Sequence, residues 1–152
     1  MQDHDAKLAE LGLTLPDAPA PAANYVPYVQ SGKLLFVSGQ ISADENGLIL
    51  GKVGVDLDVA AGAAAARTCG LSLLAQARAA VGSLSGIKRL VKLTGFVNSA
   101  PDFTDQPEVI NGCSDLMVEV FGEAGRHARA AVSAGALPRG VAVEIEAIFE
   151  VA

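Results

Sequence analysis

Two residues in the last quarter of the chain, Arg129 and Glu144, are of types that could bind and process a small anion. Arg129 lies in a run of small residues, 128–132, and Glu144 lies on the predicted strand after a Leu137-Pro138 break. A guanidinium presents a planar fork of donors that matches a carboxylate, and its charge persists at every physiological pH. The pattern therefore predicts a pocket where Arg129 captures a small anion near a carboxylate on the next strand. The alternative is an exposed arginine paired with a surface glutamate, which is commoner in proteins generally.

The composition indicates one domain with more apolar surface than a lone soluble chain usually carries. The chain has 152 residues, of which 51% are hydrophobic and 18% charged, and its mean hydropathy is +0.37. This length is enough to bury a substantial core. The longest alanine-rich run, 59–66, ends at Arg67 and is too short to span a membrane. The excess apolar surface is therefore expected in an interface between subunits.

Charge and residue usage argue against several classes of protein. The net charge is −6 and aromatic residues make up 5% of the chain, which is unlike the basic, aromatic footprint of a nucleic-acid-binding protein. The acidic start, MQDHDAKLAE, lacks the regions of a signal peptide and predicts a cytoplasmic protein. Cys69 and Cys113 fall in predicted helices, and His4 and His127 are far apart in sequence. We expect buried free thiols, no metal site and no cofactor.

Hydrophobic periodicity and turn residues predict an α+β chain of order ββ(β)αβαββ. An N-terminal helix and proline-rich connector are assigned to residues 1–20 and a domain to 21–152. The predicted helices are 3–12, 59 to about 84, and one that begins at Asp105 with an Asp105–Glu108 capping box. The predicted strands are 25–30, 34–38, about 48–50, 87–99, 129–134 and 141–151.

The predicted strands alternate between an apolar and a more polar face. In the strand 87–99, one face is predicted to carry Leu90, Lys92, Thr94 and Phe96, and the other face Val91, Leu93, Gly95 and Val97. In the strand 141–151, one face is predicted to carry Val143, Ile145, Ala147 and Phe149, and the other face Glu144, Glu146 and Ile148. Two long helices can cover only one face of the sheet. Further copies of the chain are expected to cover the other.

The element order and several short motifs resemble the YjgF/YER057c/UK114 family, also called the Rid family. The matching segments are Tyr28-Val29-Gln30, residues 36–41 (FVSGQI), Ala128-Arg129, Leu137-Pro138 and residues 143–147 (VEIEA), in the family's order and spacing. The resemblance implies a chorismate-mutase-like α+β domain: a mixed sheet with two helices packed on one face, assembled as a homotrimer with clefts between subunits. It also implies hydrolysis of reactive imines and enamines, such as 2-aminoacrylate and 2-iminopropionate, to 2-oxo acids and ammonia.

Five site residues are carried over from the family's motifs. The resemblance implies that Arg129 binds the substrate carboxylate and that Glu144 handles the hydrolytic water or proton. Tyr28 matches a cleft tyrosine, and Ser38 with Gly39 matches a wall of the ligand pocket. Considered alone, Glu144 could be an exposed strand residue, Tyr28 an interface tyrosine and Ser38 a residue beside a turn.

Four further positions depart from the family's pattern or bear on it. Ala131 stands where the family often has Cys, Ser or Thr, so only its backbone carbonyl can act there. The family's second helix often carries a ligand-binding asparagine, and alignment on Phe121-Gly122 puts Ser114 in that place, with Asn111 as the other candidate. His127 is close to Arg129 in sequence, which makes it the best candidate for a role particular to this chain.

Three functions follow as hypotheses. The first is the imine deaminase, and the second is a non-catalytic trimer that binds small carboxylates and regulates a partner. Arg129 is compatible with both, because each requires capture of a carboxylate. The third is an endoribonuclease, an activity attached to some relatives. The acidic balance and the lack of a histidine pair argue against it.

Overall fold

The computed structural model describes residues 3–21 and 23–152. Its α-helices are α1 (His4–Glu10), α2 (Val59–Val81) and α3 (Gln106–Phe121). Its strands are β1 (Tyr28–Ser31), β2 (Leu34–Ile41), β3 (Ala43–Asp44), β4 (Gly47–Leu48), β5 (Ile87–Asn98), β6 (Ala128–Ala134) and β7 (Val143–Val151). Short 3₁₀ turns lie at Leu84–Gly86, Gly122–Gly125 and Pro138–Gly140.

Five strands form one mixed sheet in the order β1-β2-β7-β5-β6, and β3 and β4 form a small separate hairpin. β5 and β6 are parallel, whereas the other neighbours are antiparallel. β2 and β5 are each antiparallel to β7, so these two strands run in the same direction. Helix α2 connects β2 to β5, and helix α3 connects β5 to β6. Both crossovers move across the sheet in one direction, and such crossovers are nearly always right-handed, so both helices lie on the same face. This confirms the predicted mixed sheet with two helices on one face.

The core fills the space between this face and the two long helices. The predicted inner positions are buried on both helices, including Cys69 and Leu73 on α2 and Cys113 and Met117 on α3. Glycine allows the helices to approach closely. A Cβ on Gly112 of α3 would collide with the backbone carbonyl of Ala63 on α2.

Helix α2 starts and ends as predicted, and α3 also begins at the predicted position, with Asp105 as its N-cap residue, but without the predicted capping bonds. The Asp58 side chain accepts from the Ala61 amide at 2.8 Å, and Gly82 ends α2 in the left-handed conformation. The predicted Asp105–Glu108 capping box is wrong. Asp105 has a ψ of 31°, outside the extended conformation usual for an N-cap residue, and its side chain makes no capping bond.

A bulge corrects the predicted alternation in β5. The β5–β7 register shifts between Leu90 and Lys92, and this extra residue turns Leu90 onto the helix-covered face, where it is fully buried. β5 has another register shift between Ile87 and Arg89, and β2 has one between Val37 and Gln40. β1 begins at Tyr28 instead of Tyr25, and β2 continues to Ile41.

Among the described residues, no helix lies against the other sheet face, which carries apolar side chains beside charged ones such as Lys92 and Glu146. Each of the five strands contributes at least one large apolar side chain there: Val29, Leu34, Phe36, Ile148, Phe96 and Val132. Val29, Leu34, Phe36 and Val132 are exposed in the single chain. Exposed apolar side chains grouped on one face are typical of an interface between subunits.

The close approach of α2 and α3 gives a stability test. We expect Gly112→Ala to lower the free energy of unfolding by about 1–3 kcal/mol, because the added methyl must push α3 away from backbone that cannot move aside. The matched control is Gly135→Ala, where a Cβ meets nothing within 4 Å; its effect should stay within about 0.5 kcal/mol. Urea unfolding measures both, and equal midpoints for the parent and Gly112→Ala would contradict the close contact.

Candidate functional site

Arg129 lies on the helix-covered face, at the edge strand β6. It pairs in register with the core residue Leu93 of β5, so both side chains share that face. Its Nη1 donates to Asn111 Oδ1 at 2.8 Å and to Ser114 Oγ at 3.2 Å, both on α3. Among residues 3–21 and 23–152, no carboxylate forms an ion pair with it. The guanidinium therefore keeps its charge uncompensated and has donors left for an anionic ligand. Both candidates on the second helix, Asn111 and Ser114, contact this arginine.

A directed chain of hydrogen bonds lies behind Arg129. His127 Nδ1 is 2.6 Å from the Gly125 carbonyl, which can only accept, so Nδ1 carries the proton. His127 Nε2 is then an acceptor, and the Ser114 hydroxyl donates to it at 2.9 Å. The Ser114 oxygen is left to accept from Arg129. Neutral His127 thus fixes the direction of the hydroxyl that orients the guanidinium.

The ionisation of His127 favours this arrangement. Burial has the largest effect on the pKa of His127 and lowers it. The hydrogen bond to Gly125 raises the pKa by less than burial lowers it, and the charge of Arg129 lowers it further. The ring is therefore neutral at neutral pH. A cavity of about 270 Å³ adjoins the network and is lined by Ser114, Asp115, Val118, Arg126, His127 and Arg129.

Glu144 lies on the open face, on the central strand β7. Burial raises the pKa of its carboxyl, and the charge of Glu146 raises it further. Gly39 makes room for this group, since a Cβ at position 39 would collide with the Glu144 carboxylate. Gly39 falls within the irregular segment of β2 between Val37 and Gln40. A half-buried carboxyl with a raised pKa takes up a proton more readily than an ordinary glutamate, as an acid–base group must.

Arg129 and Glu144 do not meet within one chain. The sequence placed them on neighbouring strands, but β5 lies between β6 and β7. Leu93 pairs with both Arg129 and Ala147, and Glu144 is three positions from Ala147 along a regularly alternating strand. Glu144 therefore faces the opposite side of the sheet from Arg129. The expected proximity within a chain is wrong, so a site that uses both residues requires two copies.

The other predicted site residues are distributed over both regions. Tyr28 pairs with Val37 and packs against the core, so it does not line the cavity beside Glu144. Ser38 Oγ donates to the Val26 carbonyl at 2.8 Å, and its amide donates to Pro27 at 2.9 Å. Ser38 thereby holds the chain that precedes β1.

Ala131 follows Arg129 by two residues and shares its face of β6. Its side chain is half-buried and packs against the core. A ligand contact by its backbone carbonyl stays a prediction.

A second, larger cavity of about 460 Å³ adjoins Glu144. Its lining includes Gly39, Gln40, Ser72 and Arg139 together with many apolar side chains. Arg139 has a φ of 60°, the only positive φ of a non-glycine residue in the described part of the chain. Strained backbone of this kind is concentrated at functional sites.

Sequence reasoning missed two polar anchors, one that holds the chain along this cavity and one that holds the loop before β7. Gln76 on α2 reaches the Pro19 carbonyl at 2.7 Å. Lys52 Nζ donates to Asn98 Oδ1 at 2.7 Å and to the Gly135 carbonyl at 3.0 Å, which holds the loop before β7. A glutamine between Leu73 and Ala77 on an apolar helix face is a detectable signal, because a buried amide needs a partner.

Thiol and metal chemistry find no support in the described residues. Cys69 and Cys113 are buried and unpaired. Burial raises the pKa of the Cys113 thiol to about 12 and that of Cys69 well above its usual range, so neither is a nucleophile at neutral pH. Nowhere in residues 3–21 and 23–152 do three His, Cys, Asp or Glu side chains cluster as metal ligands would. Within the same residues, no helix has the length and apolarity required to cross a membrane.

The chain is similar in sequence and in structure to several known proteins. A family model described as "YjgF/chorismate mutase-like, putative endoribonuclease" matches residues 5–147. Protein TCP17 of Trypanosoma cruzi is 53% identical over 147 residues, which cover 95% of this chain and 92% of that protein. The crystal structure of Atu1372 from Agrobacterium tumefaciens, a protein of unknown function, is 50% identical with a TM-score of 0.90, covering 98% and 92% of the two chains. Escherichia coli TdcF, crystallised with bound serine, is 27% identical with a TM-score of 0.64, covering 89% and 94%.

The lowered pKa of His127 makes stability depend on pH. Histidine in an unfolded chain titrates near about 6.5 and in this fold below that value, so the unfolded state binds more protons between the two pKa values. We expect the free energy of unfolding to fall as the pH drops below about 6.5. His127→Gln cannot be protonated and should show a shallower fall. Urea unfolding across this range measures the slope, and equal slopes for the variant and the parent would contradict the prediction.

Proposed function

Since the chain belongs to the YjgF/chorismate-mutase-like family, we propose that it hydrolyses reactive 2-imino acids and their enamines to 2-oxo acids and ammonia. The reaction takes place in a cleft between two copies of the chain. One observation carries the proposal. Arg129 is oriented by neutral partners with donors left over, while Glu144 on the opposite face has a carboxyl of raised pKa.

Arg129 supplies the binding step. Every 2-imino acid carries a carboxylate, and the guanidinium fork can bind both of its oxygens. Asn111 and Ser114 hold Nη1 in place, so little side-chain freedom is lost when the substrate binds. The related protein TdcF was crystallised with serine, a small molecule that also carries a carboxylate, and this supports capture of such a group.

Glu144 supplies the proton transfers. Water attacks the carbon of the protonated imine, and its proton passes to the Glu144 carboxylate as the C–O bond forms. The carboxyl then returns the proton to the nitrogen of the tetrahedral intermediate. The C–N bond breaks and ammonia leaves as the carbonyl forms, while the hydroxyl proton passes to the Glu144 carboxylate and from there to the departing ammonia, which is released as ammonium. The raised pKa of Glu144 makes its carboxylate a better proton acceptor than an ordinary glutamate.

A closed ring of copies can bring the two groups together. β6, which carries Arg129, is one edge of the sheet, and Glu144 lies on the open face of the central strand β7, next to β2. A head-to-tail interface places unlike surfaces of successive copies against each other and can close into a ring. The apolar open face would be buried in the same assembly. We therefore propose a homotrimer, the assembly that the family resemblance implies.

Mixing two inactive variants tests the composite cleft. We expect Arg129→Ala to lower kcat/KM by about 100-fold or more, because it loses a charged two-pronged contact, and Glu144→Gln to collapse hydrolysis while 2-oxo acid binding persists. When the two are unfolded together and refolded, about a quarter of the clefts should carry both native residues, so activity should return.

The readout is an assay in which an amino-acid oxidase generates the imine, with light scattering to establish the assembly. Arg129→Lys is the matched control for charge without the fork, and it should fail nearly as badly as the alanine variant. Absence of rescue in mixed trimers would refute the two-copy cleft. Binding of pyruvate by the parent without acceleration of any imine would instead favour the non-catalytic carboxylate-binding trimer.

Gly39 gives a test that acts through Glu144 alone. Its backbone is not in the left-handed region, and a new methyl would meet the flexible end of the Glu144 side chain. We expect Gly39→Ala to lower kcat by about 10–100-fold through displacement of the carboxylate and to change stability by less than about 1 kcal/mol. In a Glu144→Gln background the same change should cost little. Additive losses in the double variant would show that Gly39 acts elsewhere.

A further inference from the structure

The cavity beside Glu144 is larger and more apolar than a three-carbon imino acid requires. Its volume is about 460 Å³, within the range of about 300–1,000 Å³ that is typical of pockets for much larger ligands. Among its lining residues are Ile41, Leu48 and Pro138, which bring no charge to the space beside the carboxyl. A site that handled only 2-aminoacrylate would leave most of this volume unused.

The segment between α1 and β1 forms one wall of the cavity. Pro19, Ala20, Pro21, Ala23 and Tyr25 of this segment all line it, as does Pro27. These side chains are apolar or aromatic and the prolines restrict the backbone, so the wall is a preformed apolar surface.

Buried hydrogen bonds fix this wall to the domain. Gln76, almost fully buried on α2, donates from Nε2 to the Pro19 carbonyl at 2.7 Å. The same Nε2 lies 3.4 Å from Gln40 Oε1, and Gln40 in turn donates to the Ser38 carbonyl at 2.9 Å. At the other end of the segment, Ser38 binds the carbonyls of Val26 and Pro27. Both ends of the wall are therefore connected to Ser38 and Gln40, which flank the glycine that lies against Glu144.

We propose that this wall sets the specificity of the reaction and selects imino acids with bulky apolar side chains, of the branched aliphatic or aromatic type. The inference rests on the proposed function, because it takes Glu144 as the group that handles the proton. With the substrate carboxylate on Arg129 of one copy and the imine carbon at Glu144 of the next, the side chain extends into the cavity. Burial there contributes about 25 cal/mol per Å² of apolar surface, so a leucine-type side chain gains about 1.5–3 kcal/mol over none.

Side-chain selectivity in the imine assay tests the wall. The trimeric parent is supplied with imines formed from alanine, leucine and phenylalanine, and kcat/KM should be at least about 10-fold higher for the two larger substrates. Gln76→Leu, close in volume but unable to hold Pro19, should lower kcat/KM for the leucine imine about 10-fold and leave the alanine imine within about 2-fold. Equal losses for both substrates, or no preference in the parent, would overturn the proposal.

A variant that narrows the cavity keeps the proposal testable if Gln76→Leu does not fold. Ala43 lines the cavity, and Ala43→Phe should fill part of it and reverse the preference towards the alanine imine. Ala60→Phe, at an exposed helix position away from the lining, is the matched control and should keep the parent's preference. An unchanged preference in Ala43→Phe would overturn the proposal.

Product binding separates failure of the wall from failure of the proposed function. By calorimetry, the parent should bind 4-methyl-2-oxopentanoate more tightly than pyruvate, and Gln76→Leu should remove the difference. Tighter binding of the larger acid with no imine hydrolysed would refute the deaminase and keep the wall. Hydrolysis of all imines at similar kcat/KM, with equal binding of both acids, would refute the wall and keep the deaminase.

Discussion

The parallel pairing of β6 with β5 is the constraint on which the candidate site depends. Because α3 returns the chain to the far side of β5, β6 becomes an edge strand and β7 must enter on the other side, between β2 and β5. That order separates Arg129 from Glu144 by a whole strand, and the two-residue alternation of strands sends them to opposite faces. The chain therefore holds the two chemical groups of the proposed reaction at two different surfaces.

Separation also keeps each group in the state that the chemistry needs. An arginine and a glutamate side by side would pair, and the pKa of the carboxyl would fall. In this fold Arg129 is oriented by Asn111 and Ser114, which are neutral, and the Glu144 carboxyl has only the like charge of Glu146 to raise its pKa further. A substrate between two copies would then meet a cation that is ready for its carboxylate and an acid–base group that is ready for its nitrogen.

Local pattern predicted much of the fold and only part of the site. The helical stripe around Leu73 and the alternation of β7 depend on residues near in sequence, and the structure confirms both. The Leu90 bulge and the position of β5 between β6 and β7 depend on pairing between distant segments, which periodicity does not encode. Arg129 was recognisable from its type and motif, but its hydrogen bonds to α3 depend on how helix and strand pack.

One irregularity in β2 connects the acid–base group with the apolar wall. Between Val37 and Gln40 the strand leaves its regular register with β7, and β1 pairs with β2 only as far as Val37. Gly39 can therefore lie against the Glu144 carboxylate, while the Ser38 amide, left without a partner in β1, binds the Pro27 carbonyl. The same two residues leave space for the carboxyl and hold the segment that lines the cavity beside it. A bulge that only adjusted the twist of the sheet would need neither contact, which is why we regard this one as part of the site.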